Sequence, residues 1–109
     1  MQLDVSALTN TMTVAVRGAI GDRWSMLQEL AEKELGKLAQ TLEDVNEMYA
    51  GGRIDQGRAW DLVEIQRNTA LTVLRGVQGI GLLTARGAVD AAARAAGEVV
   101  NRLIGFKVI

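Results

Sequence analysis

A Gly-Gly pair, Gly51-Gly52, sits at the midpoint of a 109-residue sequence that contains no proline. The pair is followed by Asp55, a residue suited to cap a new helix, and it is the firmest punctuation in the chain. Strong helix formers dominate on both sides of it. Two helical arms of similar length joined by a short turn make an αα-hairpin, and this is the expected frame. The boundaries are arm one over about 4–50, a turn at 51–54 and arm two over about 55–105, in a single helical domain spanning 1–109.

The first arm carries its period openly. Ile20, Trp24, Leu27, Ala31, Leu35, Leu38, Leu42, Val45 and Tyr49 recur at steps of three and four, which makes one apolar stripe along an ordinary helix. Glu29 and Lys33 form a favourable pair on the other face. Upstream, Leu8, Met12, Ala15 or Val16, and Ala19 keep the same spacing, although the Thr-rich run 9–16 also has strand propensity. Gly21-Asp22 is a place where the arm can break or bend. Asp22 or Ser25 would cap the helix beyond such a break, and Ser25 with Gln28 has capping-box spacing.

The second arm is apolar on more than one side. Ala59, Leu62 or Val63, Ala70, Val73 or Leu74, Val77, Ile80, Thr84, Ala88, Ala91 or Ala92, Ala95, Val99 and Leu103 form one face, and Leu71, Leu82, Val89, Ala96 and Val100 flank it. Charge is confined to a ridge that alternates in sign: Arg86, Asp90, Arg94, Glu98 and Arg102. A two-helix hairpin cannot cover both apolar faces, so a partner surface is expected. Gly76, Gly79, Gly81, Gly87 and Gly97 each cost a helix about 1 kcal/mol relative to Ala. Either the arm breaks near Gly79-Ile80-Gly81 or close packing offsets that cost. Unbroken, the arm would be about 75 Å long at about 1.5 Å per residue.

Function classes narrow by elimination. The sequence has no His and no Cys, which removes the commonest general acid–base residue, the thiol nucleophile, most zinc chemistry and any disulfide. Glu29, Glu32, Glu43, Asp44 and Glu47 are the densest carboxylate group, but a di-iron bundle would pair such residues with His, and a solvated helix face is the simpler reading. Gly76-Val77-Gln78-Gly79-Ile80-Gly81 is glycine-rich without the strand and Lys of a phosphate loop. No catalytic residue, cofactor or metal ligand is assigned, and no enzymatic activity is expected.

Twelve Lys+Arg against thirteen Asp+Glu give a net charge of −1. Arg67, Arg75, Arg86, Arg94 and Arg102 could be read as a nucleic-acid track, but Asp90 and Glu98 interrupt it and the basic excess of such proteins is missing. The N-terminal residues lack the basic and apolar regions of a secretory signal, and no charge-free stretch approaches the ~20 residues of a transmembrane helix. The cytoplasm is the default expectation, with signal-independent export or a virion-type assembly left open.

The resulting expectation is an all-α, elongated antiparallel hairpin that packs with other copies into a helical bundle, ring or filament. The small and apolar residues Val77, Gly81, Ala85, Ala88, Ala92, Ala95, Val99, Leu103 and Phe106 are the expected assembly interface. Phe106 and Ile109, after Gly105, read as a C-terminal hydrophobic plug. Two rivals remain: an amphipathic membrane-surface or pore-forming protein whose Ala/Gly/Leu-rich half contacts lipid, and an adaptor or chaperone that holds another protein's helix.

Overall fold

The computed structural model describes residues 2–109, and each expected arm folds back on itself. Arm one becomes α1 (Val5–Ile20), a single 3-10 turn (Gly21–Arg23) and α2 (Trp24–Ala50). Arm two becomes α3 (Gln56–Arg75) and α4 (Gly81–Ile104). The breaks fall at the glycines. Gly21 has φ +60° and Gly79 has φ +88°, backbone states that other residues enter only with strain. At Gly79 a Cβ would also lie 2.8 Å from the Met26 Cε, but that is the free end of a flexible, half-exposed side chain, so the positive φ is what favours glycine there. These reversals cancel the expected 75 Å arm.

The four helices close into one bundle. α1 packs on α2 and α4, α3 packs on α2 and α4, and α2 meets α4 across the diagonal. α2, at 27 residues, rises about 40 Å at about 1.5 Å per residue, close to the longest dimension of the molecule, 43 Å in a body of 43 × 22 × 18 Å. The radius of gyration is 13.5 Å, against about 13 Å for a compact chain of this length. The elongated hairpin is therefore corrected: the chain makes a four-helix bundle by itself.

Both stripes supply its core. Leu27, Ala31, Leu35, Leu38, Leu42 and Val45 of α2 are buried, as are Leu8, Met12 and Val16 of α1. The Thr-rich run is helical, and Thr9 and Thr11 donate their hydroxyls to the Val5 and Ala7 carbonyls one turn back. α4 contributes Ala85, Ala88, Ala92 and Ala96, all with no exposed surface, together with Val89, Ala93 and Val100. Small side chains on α4 let its backbone approach its neighbours closely. Of the second apolar face of arm two, Val89, Ala96 and Val100 are thus covered from within the chain, where α4 packs on α1, α3 and α2, while Leu82 stays exposed.

Helix starts obey local chemistry in two cases. Asp4 and Asp55 each accept a backbone hydrogen bond three residues on, from Ala7 N at 3.0 Å and Arg58 N at 2.8 Å, as N-caps do. α2 departs from expectation. It begins on Arg23 with no side-chain cap, and the Ser25 hydroxyl instead donates to the Asp22 carbonyl at 3.4 Å. The preceding 3-10 turn runs directly into α2, and Ser25 already lies within the helix.

Candidate functional site

The nine residues expected at an assembly interface separate into three groups. Ala85, Ala88 and Ala92 lie inside the bundle and present nothing to a second copy. Val77 and Gly81 are in and beside the α3–α4 connection, at the end where Arg23 reaches the Gly79 carbonyl and the Thr84 hydroxyl. Ala95, Val99, Leu103 and Phe106 belong to the last turns of α4 and the segment after it, at the opposite end. Of these, Val99 is the most open, at 49% exposure, and Leu103 and Ala95 are half-buried.

The openness of Val99, beside the half-buried Leu103, goes with helix length. α1 has 16 residues and α4 has 24, so α1 runs out before α4 ends. Leu3, ahead of α1, tucks into the core but leaves a shallow apolar cleft of about 500 Å³ beside Val99 and Leu103. Asp4, Glu98 and Arg102 frame it with charge of both signs. Carboxylates and a guanidinium around an apolar floor suit a protein contact, since the charges fix orientation while the floor supplies burial.

On the other side of α4 lies a groove shared with α3. Arg67 Nη2 pairs with Asp90 Oδ1 at 3.0 Å, tying the helices together. Two openings, of about 570 and about 450 Å³, flank that ion pair. Trp60, Leu71, Val89 and Ala93 give the groove apolar walls, and Trp60 is 48% exposed. The segment after α4 folds into this groove. α4 ends at Gly105, in the left-handed region, and the chain turns back along α3 and α4 with Val108 and Ile109 buried.

One side chain holds that segment. Asn101 Oδ1 accepts hydrogen bonds from Val108 N at 2.8 Å and Ile109 N at 3.1 Å, and Asn101 Nδ2 donates to the Ile109 carbonyl at 2.9 Å. An amide side chain thus pairs with a peptide backbone on both its edges. One turn earlier, Gly97 leaves the necessary room: a Cβ there would sit 3.0 Å from Asn101 Nδ2 and 3.3 Å from the Ile109 carbonyl oxygen. Phe106 stacks at a tilt on Tyr49, with centroids 4.9 Å apart. The plug expected from Phe106 and Ile109 is placed here with Val108 as a further buried member.

The carboxylates divide in a way the sequence did not indicate. Glu29, Glu32, Asp44 and Glu47 are exposed, whereas Glu43 is buried together with Glu34 and Asn46. Glu34 Oε2 pairs with Lys37 Nζ at 3.2 Å, and Glu34 Oε1 and Glu43 Oε1 have no hydrogen-bond partner. Among the described residues no cluster of three or more His, Cys, Asp or Glu could hold a metal ion, and no helix is long and apolar enough to cross a membrane. Of the arginines on arm two, Arg67 is held by Asp90, while Arg75, Arg86, Arg94 and Arg102 are exposed.

Sequence reasoning missed Asn101, and it noted Gly97 only as a glycine whose helix cost close packing could offset. The signal was present as an i,i+4 Gly–Asn pair shortly before a helix-ending glycine, Asn101 being the one side-chain amide of α4. Compared with protein-family models, curated proteins and solved structures, the chain finds no match.

Proposed function

We propose that the protein is a non-enzymatic helical-bundle subunit that associates with a second copy of itself through the open end of α4. The observation that carries this reading is the cleft of Leu3, Val99 and Leu103, the apolar surface that α1 is too short to cover. Its charged frame of Asp4, Glu98 and Arg102 contains both signs, so two copies related by a two-fold axis can place a carboxylate of one against the guanidinium of the other. The whole exposed surface is 6098 Å², against about 5,900 Å² for a monomer of this mass. Self-association is accordingly an addition to a complete fold, and not a condition of folding.

The test is mass by light scattering over a wide concentration range. The wild type gives a mass above that of one chain at high concentration. Val99→Glu stays monomeric with unchanged helicity, because the new carboxylate joins Asp4 and Glu98 at the cleft. A wild type that remains monomeric throughout refutes the reading.

A second reading is favoured by the α3–α4 groove. An adaptor would use that groove, with Trp60 at its wall, to hold a segment of another protein. It predicts a monomer that acquires a partner and never associates with itself.

A further inference from the structure

The end of the bundle opposite the Val99 cleft is formed where the chain turns back twice, at Gly21–Arg23 and at residues 76–80. Large apolar side chains stand in solvent there. Leu83 is 84% exposed and Met26 50%, with Val14 and Leu82 also exposed. The two turns are joined: Arg23 Nη1 donates to the Thr84 hydroxyl at 3.2 Å and reaches the Gly79 carbonyl at 3.5 Å, and the Met26 methyl lies against Gly79. Leu82 and Leu83 follow in the first turn of α4, where side chains lean toward the helix N-terminus and hence toward this end. None of these four apolar side chains packs on the core.

The charge around them is mostly positive. Residues 14–30 and 71–87, which make this end, carry Arg17, Arg23, Arg75 and Arg86, all exposed, against Asp22 and Glu29. In the rest of the chain eight basic residues face eleven acidic ones. No carboxylate among the described residues pairs with any of the four arginines. α2 and α4 both start at this end, so the positive poles of their helix dipoles add to the same field. A chain of net charge −1 is thus polarised, positive at the end that exposes Leu83 and Met26.

We propose that this end docks on the surface of an anionic phospholipid bilayer, with Leu83, Leu82 and Met26 entering the headgroup layer and the four arginines on lipid phosphates. The pairing of guanidinium with aliphatic side chain is what selects the partner. Guanidinium forks match phosphate oxygens by two-point contact. Exposed Leu, Met and Val gain nothing from a nucleic-acid backbone, and Trp24, the one aromatic side chain here, is half-buried with the Arg17 guanidinium 5.9 Å from its ring centroid. A bilayer also demands no matching shape, which suits apolar side chains set on three helices, α1, α2 and α4. Contact is peripheral, since no described helix is long and apolar enough to cross a membrane. The Ala-rich face of α4 lies inside the bundle and takes no part. Self-association through the Val99 cleft uses the other end, and neither contact depends on the other.

The experiment sediments the full chain with vesicles of equal parts phosphatidylglycerol and phosphatidylcholine, and with vesicles of phosphatidylcholine alone. Binding to the mixed vesicles is expected, weakening as salt is raised, and none to the neutral ones. Leu83→Gln, with helicity checked by circular dichroism, weakens binding about tenfold. Arg75→Gln and Arg86→Gln each weaken it about fivefold, the share of one cation near an anionic surface. Orientation is read from the two tryptophans. With brominated phosphatidylglycerol in the vesicles, Trp24 is quenched in Trp60→Phe, whereas Trp60 is not quenched in Trp24→Phe, because it lies fifteen residues before Arg75, about 22 Å along α3. No binding to the mixed vesicles at low salt, binding indifferent to Leu83→Gln, or quenching of Trp60 in place of Trp24 overturns the proposal. Equal affinity of wild type and Leu83→Gln for a DNA duplex that displaces the vesicles also overturns it, and makes this end a general polyanion site.

Discussion

Ala92→Leu separates a small residue that serves the fold from one that serves an assembly. Ala92 has no exposed surface and sits between Ala88 and Ala96 on the face of α4 turned into the bundle. A leucine there needs room for three more carbons where helix backbones already approach closely. Overpacking of this kind costs about 1–3 kcal/mol. For a chain of this length each kcal/mol moves the melting temperature by about 4–6 °C, so a fall of about 5–15 °C is expected. The assay is thermal unfolding monitored by circular dichroism at two protein concentrations a hundredfold apart. Because the contact lies inside one chain, the fall is the same at both. A drop seen only at the higher concentration, or an unchanged melting temperature with an altered mass, refutes the placement of this face.

Particular contacts set four further outcomes. Asn101→Ala removes three hydrogen bonds to residues 108 and 109; at about 0.5–1.5 kcal/mol each, the loss frees the segment, and amide exchange at Val108 and Ile109 accelerates while the core amides stay protected. Gly79→Ala must hold a positive φ, and is expected to lower stability by about 1–3 kcal/mol in a denaturant titration. Asp55→Ala removes the cap on Arg58 N and costs about 0.5–2 kcal/mol, whereas Ser25→Ala, which removes no cap, stays within about 0.5 kcal/mol of wild type. Glu34→Met replaces a buried carboxylate with one unpartnered oxygen, and chemical denaturation should find the variant as stable as wild type or more so.

Helical class, the two stripes and the central turn were legible because each rests on neighbours in the chain. Spacing of three and four placed Leu27, Leu35, Leu38 and Leu42 in the core, and Asp55 after Gly51-Gly52 marked the start of α3. Both glycine breaks were visible as places where a helix can end. Whether each one ends it is not a local matter. Gly87 sits inside α4 and Gly79 terminates the path between helices, although glycine costs either helix the same intrinsic amount. At Gly79 the reversal toward α4, taken at φ +88°, decides the outcome, and it depends on what lies beyond the turn.

The same division explains the candidate site. By itself the sequence determined that arm two has more apolar surface than one helix partner can cover. Only the tertiary structure decided what covers it: the other helices of the same chain bury Ala85, Ala88 and Ala92, while beside the shorter α1 Val99 stays open and Leu103 half-buried. Hydrophobic periodicity records that a face is buried and not against what, since apolar burial is non-directional. Asn101 carries the point furthest, because its three partners lie seven and eight residues away, across a helix end and a reversal. Its role came into being when Gly105 turned the chain back.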